Sequence, residues 1–207
     1  RCFEMMVEDG NLEVLKLLSS TSSKIAQGEI LQLQYKGDID MLEETYLKII
    51  STKTAVLFSA STKVGAILAN KKNNEKDALE FYGKNLGLTF QIADDILDYN
   101  SELKLFGKKI GNDFYEGKIT LPIILLSQQI NNKEKQSLKD IFKKNKRSEN
   151  DLKFTLDLIL KYKIIEQCYK KAEHFISLAS GSLSIFPDSE EKKVLENLTT
   201  FSLERSF

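Results

Sequence analysis

Asp94, Asp95 and Asp98 lie within five residues of one another, and Lys108 and Lys118 follow in a glycine-rich stretch. On a helix the spacing i, i+1, i+4 puts Asp94 and Asp98 on nearly one face. Carboxylate oxygens so placed suit a hard cation such as magnesium (Mg2+), which keeps some of its waters and shares its site with substrate phosphates. Carboxylate, cation, phosphate and lysine then form a charge-balanced set, and the chemistry it suits is chemistry on a diphosphate. An isolated acidic run of this kind is more often a solvated helix end, so its neighbours decide between the two readings.

Helical periodicity dominates the elements that must position these groups, with no strand-like alternation and no internal repeat. Leu12, Val14, Leu15, Leu17 and Leu18 predict a short amphipathic helix, and a second follows over 22–35, ending near Gly37. Asp38 is placed to cap a third, with Leu42, Tyr46, Ile49 and Ile50 turned inward. A fourth covers 53–70, almost without charge at its start, and is expected at the centre of the bundle. Asn73 and Asn74 break it. A long helix over 75–99 then carries the aspartates near its end. The span 100–119 reads as an ordered functional loop. Thr120 and Pro122 start the next helix, 131–150 reads as a solvated connection, and two or three helices finish the chain after a turn at Pro187 and Asp188.

Composition bounds the class. At 207 residues, 42% hydrophobic and 29% charged, one soluble all-α domain over 1–207 is expected, large enough for a substantial core. Two prolines and no tryptophan favour long helices. Thirty basic and thirty acidic residues leave no net charge to attract nucleic acid. No apolar run is long enough for a transmembrane segment. Cys2 and Cys168 form no disulfide framework, which points to a reducing, cytoplasmic setting. His174 stands alone and cannot build a histidine metal site.

The run from Gly87 through Phe90, Gln91, Asp94 and Asp95 to Asp98 resembles the second aspartate-rich motif of the trans-polyprenyl diphosphate synthases. Gly107, Lys108, Gly111, Asn112 and Asp113, then Glu116 through Lys118 to Pro122, resemble the loop that follows it. Gly28 to Leu33 and Lys53 to Ala55 also match in order and rough spacing. Ordered motifs of this kind are more specific than a lone aspartate run. The long-chain synthases that make quinone side chains look most similar.

The resemblance implies an isoprenoid-synthase-type orthogonal helical bundle and magnesium-dependent, head-to-tail condensation of isopentenyl diphosphate onto an allylic diphosphate. It implies Asp94 as a direct metal ligand, with Asp95 and Asp98 orienting ligands or metal-bound waters. Lys53 and Thr54 would hold the allylic diphosphate, with Gln91 beside it. Lys108 and Lys118 would serve as the two loop lysines, oriented by Asp113 and Glu116. Phe90 would line the hydrocarbon site. Glu29 and Gln32 match positions near the isoprenoid, and a capping or interhelical hydrogen-bond role is equally open. Lys109 has no match. Arg205 and the cluster Lys143, Lys144, Lys146 and Arg147 read as surface charge.

The family's first aspartate-rich motif and the arginine pair after it have no counterpart here. The expectation is therefore the C-terminal part of a longer synthase, lacking its N-terminal helices. It would work as a homodimer or with a complementing N-terminal polypeptide. The rival expectation is a non-catalytic remnant or partner subunit.

Overall fold

The helix that carries the aspartates is the axis of the molecule because it is apolar on most of its circumference. The computed structural model describes residues 1–100 and 110–204. Helix α5, Asn73–Tyr99, runs for 27 residues, and Tyr82, Leu88, Ile92, Ala93, Ile96 and Tyr99 along it are buried. A helix buried on so many sides needs neighbours all round. They are α4 (Val56–Leu68), α10 (Ile164–Ser182) and α11 (Glu190–Glu204). Polar groups tie these contacts: Ser59 on α4 donates to the Glu80 carbonyl at 3.1 Å, and the Tyr82 hydroxyl donates to the Leu195 carbonyl at 2.7 Å.

The other helices are α1 (Cys2–Asp9), α2 (Leu12–Gln34), α3 (Glu43–Ile50), α6 (Asn112–Glu116), α7 (Leu121–Gln129), α8 (Asn132–Lys143) and α9 (Glu149–Lys161). A π-helical segment, Ser51–Ala55, joins α3 to α4 without a break, and a short 3-10 turn, Leu183–Ile185, follows α10. No strand occurs among the described residues. The fold is all-α.

Several local expectations are corrected. The two helices expected over 12–35 are one, α2, started by Asn11, whose side chain accepts from the backbone N–H groups of Glu13 and Val14. The Ser/Thr run between them does not break the helix. Thr21 and Ser22 donate back to the carbonyls of Leu17 and Leu18, at 2.9 and 3.1 Å, and so satisfy their hydroxyls within it. Helix α3 begins at Glu43, not near Asp38. The Asp38 carboxylate instead accepts from the Asp40 N–H at 3.1 Å in a turn, and Leu42 is 59% exposed, while Tyr46, Ile49 and Ile50 point inward as expected.

The expected solvated connection over 131–150 contains α8. Its Leu138, Ile141 and Phe142, spaced i, i+3, i+4, are buried, and Asn131 caps it. Arg147 is not free surface charge either. It donates to the carbonyls of Tyr115 and Phe142, at 3.2 and 2.6 Å, and lies over the Phe142 ring at 5.0 Å. Pro122 sits in the first turn of α7 as expected, but the Thr120 side chain makes no capping bond.

Candidate diphosphate site

A π-turn carries Lys53 and Thr54. Such turns hold one residue more than an α-turn and are found mostly at functional sites. Here the segment is pressed from two sides by glycines. A Cβ on Gly28 of α2 would lie 2.6 Å from the Lys53 nitrogen, and one on Gly87 of α5 would lie 2.6 Å from the Ala55 Cα. Only hydrogen fits at either place, so the backbones meet directly and Lys53 has a fixed origin. Its ammonium donates to Gln32 Oε1 at 2.8 Å and pairs with Glu29 at 3.1 Å. Glu29 and Gln32 thus take the interhelical role that the sequence left open.

Next to it a hydrogen-bonded chain crosses from the π segment to α5 and on to α3. Thr54 donates to Gln91 Oε1 at 2.8 Å, Gln91 Nε2 donates to Asp95 Oδ1 at 2.9 Å, and the Tyr46 hydroxyl donates to Asp95 Oδ2 at 2.6 Å. Asp95 is only 3% exposed. Burial pushes its pKa up to about 7; the bonds from Tyr46 and Gln91 oppose that rise, and Asp113 and Asp94 add to it. Burial, then the Asp95 charge, holds the Tyr46 hydroxyl well above its ordinary range, so it stays protonated.

A pH dependence of stability follows. Below the unfolded value of 3.8 both states of Asp95 are protonated; between there and about 7 only the folded state keeps the proton. The metal-free protein should therefore lose stability as pH rises through that window, by about 2–4 kcal/mol in all, and level off above it. Asp95→Asn should remove that slope. Urea midpoints for both proteins across the window test it, and parallel curves would show that Asp95 is not the source.

The three aspartates do not converge on one ligand set. Asp95 faces the core. Asp98 is half-buried, and its carboxylate accepts the backbone N–H groups of Asn112 and Asp113 at the start of α6, at 2.8 and 2.9 Å. Burial raises its pKa, with the Asp113 charge adding and these bonds opposing. Asp94 is exposed and makes no hydrogen bond or ion pair with the described residues. Accordingly, no group of three His, Cys, Asp or Glu among the described residues is arranged to hold a metal by itself.

Asp98 also bears on the loop lysine. By capping α6 it fixes Asp113, and Asp113 takes Lys118 at 2.9 Å, with Glu116 at 2.7 Å. Burial lowers the Lys118 pKa, but the bonds and charges of Glu116 and Asp113 outweigh it and hold it above the ordinary lysine range. Phe90 is half-buried, with its ring 5.1 Å from that of Phe58. Lys108, Gly107 and Lys109 lie outside the described residues, as does Arg205.

Thr54, Gln91 and Asp95 therefore meet where the π segment crosses α5, with Lys53 next to Thr54, and Lys118 is tied to the end of α5 through Asp98 and α6. The family model for polyprenyl synthetases matches residues 1–159. The chain belongs to the polyprenyl synthetase family. It is 36% identical over 205 residues to the all-trans-nonaprenyl-diphosphate synthase (geranyl-diphosphate specific) of Rhodobacter capsulatus, covering 99% of this chain and 62% of that protein. It is 33% identical to the octaprenyl diphosphate synthase of Escherichia coli (strain K12), covering 99% of this chain and 63% of that protein. A polyprenyl synthase from Caulobacter crescentus CB15, solved with calcium and isoprenyl diphosphate, superposes with a TM-score of 0.93 at 35% identity, over 99% of this chain and 62% of that one.

The chain thus spans less than two thirds of the length of these relatives. The family match takes in every described residue of the candidate site. Helix α10 lies beyond it, yet packs along α5 with the family's fold. No helix among the described residues is long and apolar enough to cross a membrane.

Sequence reasoning missed one participant, Tyr46. A signal was present: it was expected to point inward with Ile49 and Ile50, and a buried tyrosine hydroxyl needs a partner.

Proposed function

We propose that this chain supplies the allylic-diphosphate side of a polyprenyl diphosphate synthase. The reaction is head-to-tail condensation of isopentenyl diphosphate onto an allylic diphosphate, giving long isoprenoid chains such as quinone side chains. The observation that carries the reading is the hydrogen-bonded chain from Thr54 through Gln91 to Asp95, with Lys53 next to Thr54, at one helix crossing in a polyprenyl synthetase fold.

In this reading Lys53 places a point charge on the allylic diphosphate, and Thr54 and Gln91 hold its oxygens or waters. Lys118 approaches from the α6 side. Phe90 borders the hydrocarbon tail. The allylic carbon–oxygen bond breaks, pyrophosphate leaves with the bonding pair, and the isopentenyl double bond forms the new carbon–carbon bond before a proton is lost. The donor set fits a magnesium ion of the kind that keeps waters and is bound by one or two carboxylates plus substrate phosphates, with Asp94 as the protein ligand. When bound, that ion supplies positive charge as the pyrophosphate departs.

A second reading has its own observation. Among the described residues only one of the three aspartates is free of donors, which suits a partner subunit needing carboxylates from elsewhere. The test is elongation of farnesyl diphosphate with radiolabelled isopentenyl diphosphate and magnesium. The chain alone should give none. Addition of a polypeptide carrying the family's first aspartate-rich motif should restore it. No product from the mixture, with both parts folded, favours the non-catalytic reading; robust product from the chain alone removes the need for a complement. The active assembly is proposed to be a homodimer or such a two-part enzyme, working in the cytoplasm.

A further inference from the structure

We propose that Tyr46 is a positioning residue of this site, setting through Asp95 the direction in which the hydrogen bonds of Gln91 and Thr54 run. Its consequence for ligand rests on the diphosphate reading above; the bond directions rest on geometry alone.

A carboxylate 3% exposed needs a donor on each oxygen. Among the described residues Asp95 has two, one per oxygen: the Tyr46 hydroxyl at 2.6 Å and one N–H of Gln91 at 2.9 Å. The Tyr46 hydroxyl donates to one oxygen and the Gln91 amide to the other, so both bonds run toward the carboxyl group. That pins the Gln91 nitrogen to Asp95 and turns its carbonyl to Thr54, 2.8 Å away. A carbonyl cannot donate, so Thr54 must. The pair therefore faces the site with a fixed polarity: Gln91 keeps one N–H to give to a phosphate oxygen, and Thr54, its proton spent, offers lone pairs to water.

Tyr46 makes this possible. It satisfies the Asp95 oxygen that the second Gln91 N–H would otherwise be drawn to. Thr54 and Gln91 lie 37 positions apart, and Tyr46 and Asp95 lie 49 apart. No single helix could hold this order; it is set by the packing of α3 and the π segment on α5.

Two variants separate polarity from packing. Tyr46→Phe deletes only the hydroxyl. Asp95→Asn keeps the side chain's shape, but its amide can donate to the Gln91 carbonyl and turn Gln91 over. The first readout is the side-chain amide signal of Gln91 in nitrogen–proton correlation spectra, assigned by its loss in Gln91→Glu. The second is the affinity of the chain for inorganic pyrophosphate with magnesium, by calorimetry.

Both variants should move the Gln91 signals and weaken pyrophosphate about tenfold, the scale of one bond to a charged group. A purely structural tyrosine would change thermal stability and leave the Gln91 signals of Tyr46→Phe in place. Unmoved signals in Asp95→Asn overturn the bond directions. Moved signals with unchanged pyrophosphate affinity overturn the positioning role. If the wild-type chain binds no magnesium pyrophosphate, the diphosphate reading fails and takes the role of Tyr46 with it, and the amide signals still judge the bond directions separately.

Discussion

Asp94→Ala in the active synthase is expected to lower turnover about 10²–10³-fold, the usual cost of removing one preorganised electrostatic contact to a departing charge. Geometry distinguishes it from its neighbours. Asp94 alone of the three aspartates is exposed, and among the described residues it has no donor, which leaves its oxygens open to a cation from that side. Asp98 is occupied by the first N–H groups of α6. Asp98→Ala should cost less in turnover and act partly by loosening α6 and, with it, Lys118. Lys53→Ala should raise the concentration of allylic diphosphate needed more than the concentration of metal. Steady-state kinetics against both substrates and against magnesium would separate these effects. Equal losses from Asp94→Ala and Asp98→Ala, with the same metal dependence, would mean that the roles are assigned wrongly.

Gly28→Ala should destabilise the chain by about 1–3 kcal/mol, the range for forcing extra volume into a packed contact. The sign makes the prediction sharp. Glycine to alanine inside a helix normally gains up to ~1 kcal/mol. At Gly28 the added carbon would lie 2.6 Å from the Lys53 nitrogen and 2.8 Å from its Cα, and backbone cannot swing aside as a side chain can. Gly65, on α4, is the control: a Cβ there has nothing within 4 Å, so Gly65→Ala should stabilise. Urea denaturation of both variants decides. A neutral or stabilising Gly28→Ala would show that α2 and the π segment are not in the contact described. A destabilised Gly28→Ala should also weaken diphosphate binding, because the clash displaces Lys53 itself.

How far the sequence carried the reading depended on the range of the interactions. The long helix ending in the aspartates, and the inward face of Tyr46, Ile49 and Ile50, follow from periodicity within one element, and both are observed. Thr54 and Gln91 were assigned to the same ligand by resemblance, and they bond to each other at 2.8 Å. The direction each aspartate takes was not legible. Adjacent helix positions differ by about 100° in direction, so Asp94 and Asp95 could not face the same way. Asp95 turned inward on the stripe of Leu88, Ile92, Ile96 and Tyr99, where its partner, Tyr46, comes from another helix. Asp98 was likewise claimed by a short helix that forms inside an expected loop. Arg147 looked like one more charge in a basic run; only the fold brings the Tyr115 and Phe142 carbonyls to it.

The π segment has a consequence for how such chains can diverge. Ser51–Ala55 holds a residue that a regular helix from α3 into α4 would not need. Deleting one codon there would give a straighter, better hydrogen-bonded helix. Because the wide turn takes up the extra residue locally, the flanking helices would stay near their places, with Tyr46 still on Asp95 and Ala55 still against Gly87. The residues inside the turn would not: Lys53 and Thr54 would change direction and leave Gln32 and Gln91. A lineage could thus gain local regularity and lose these contacts in a single in-frame event, so the length of this stretch is a more telling mark of a working site than the identity of any residue within it.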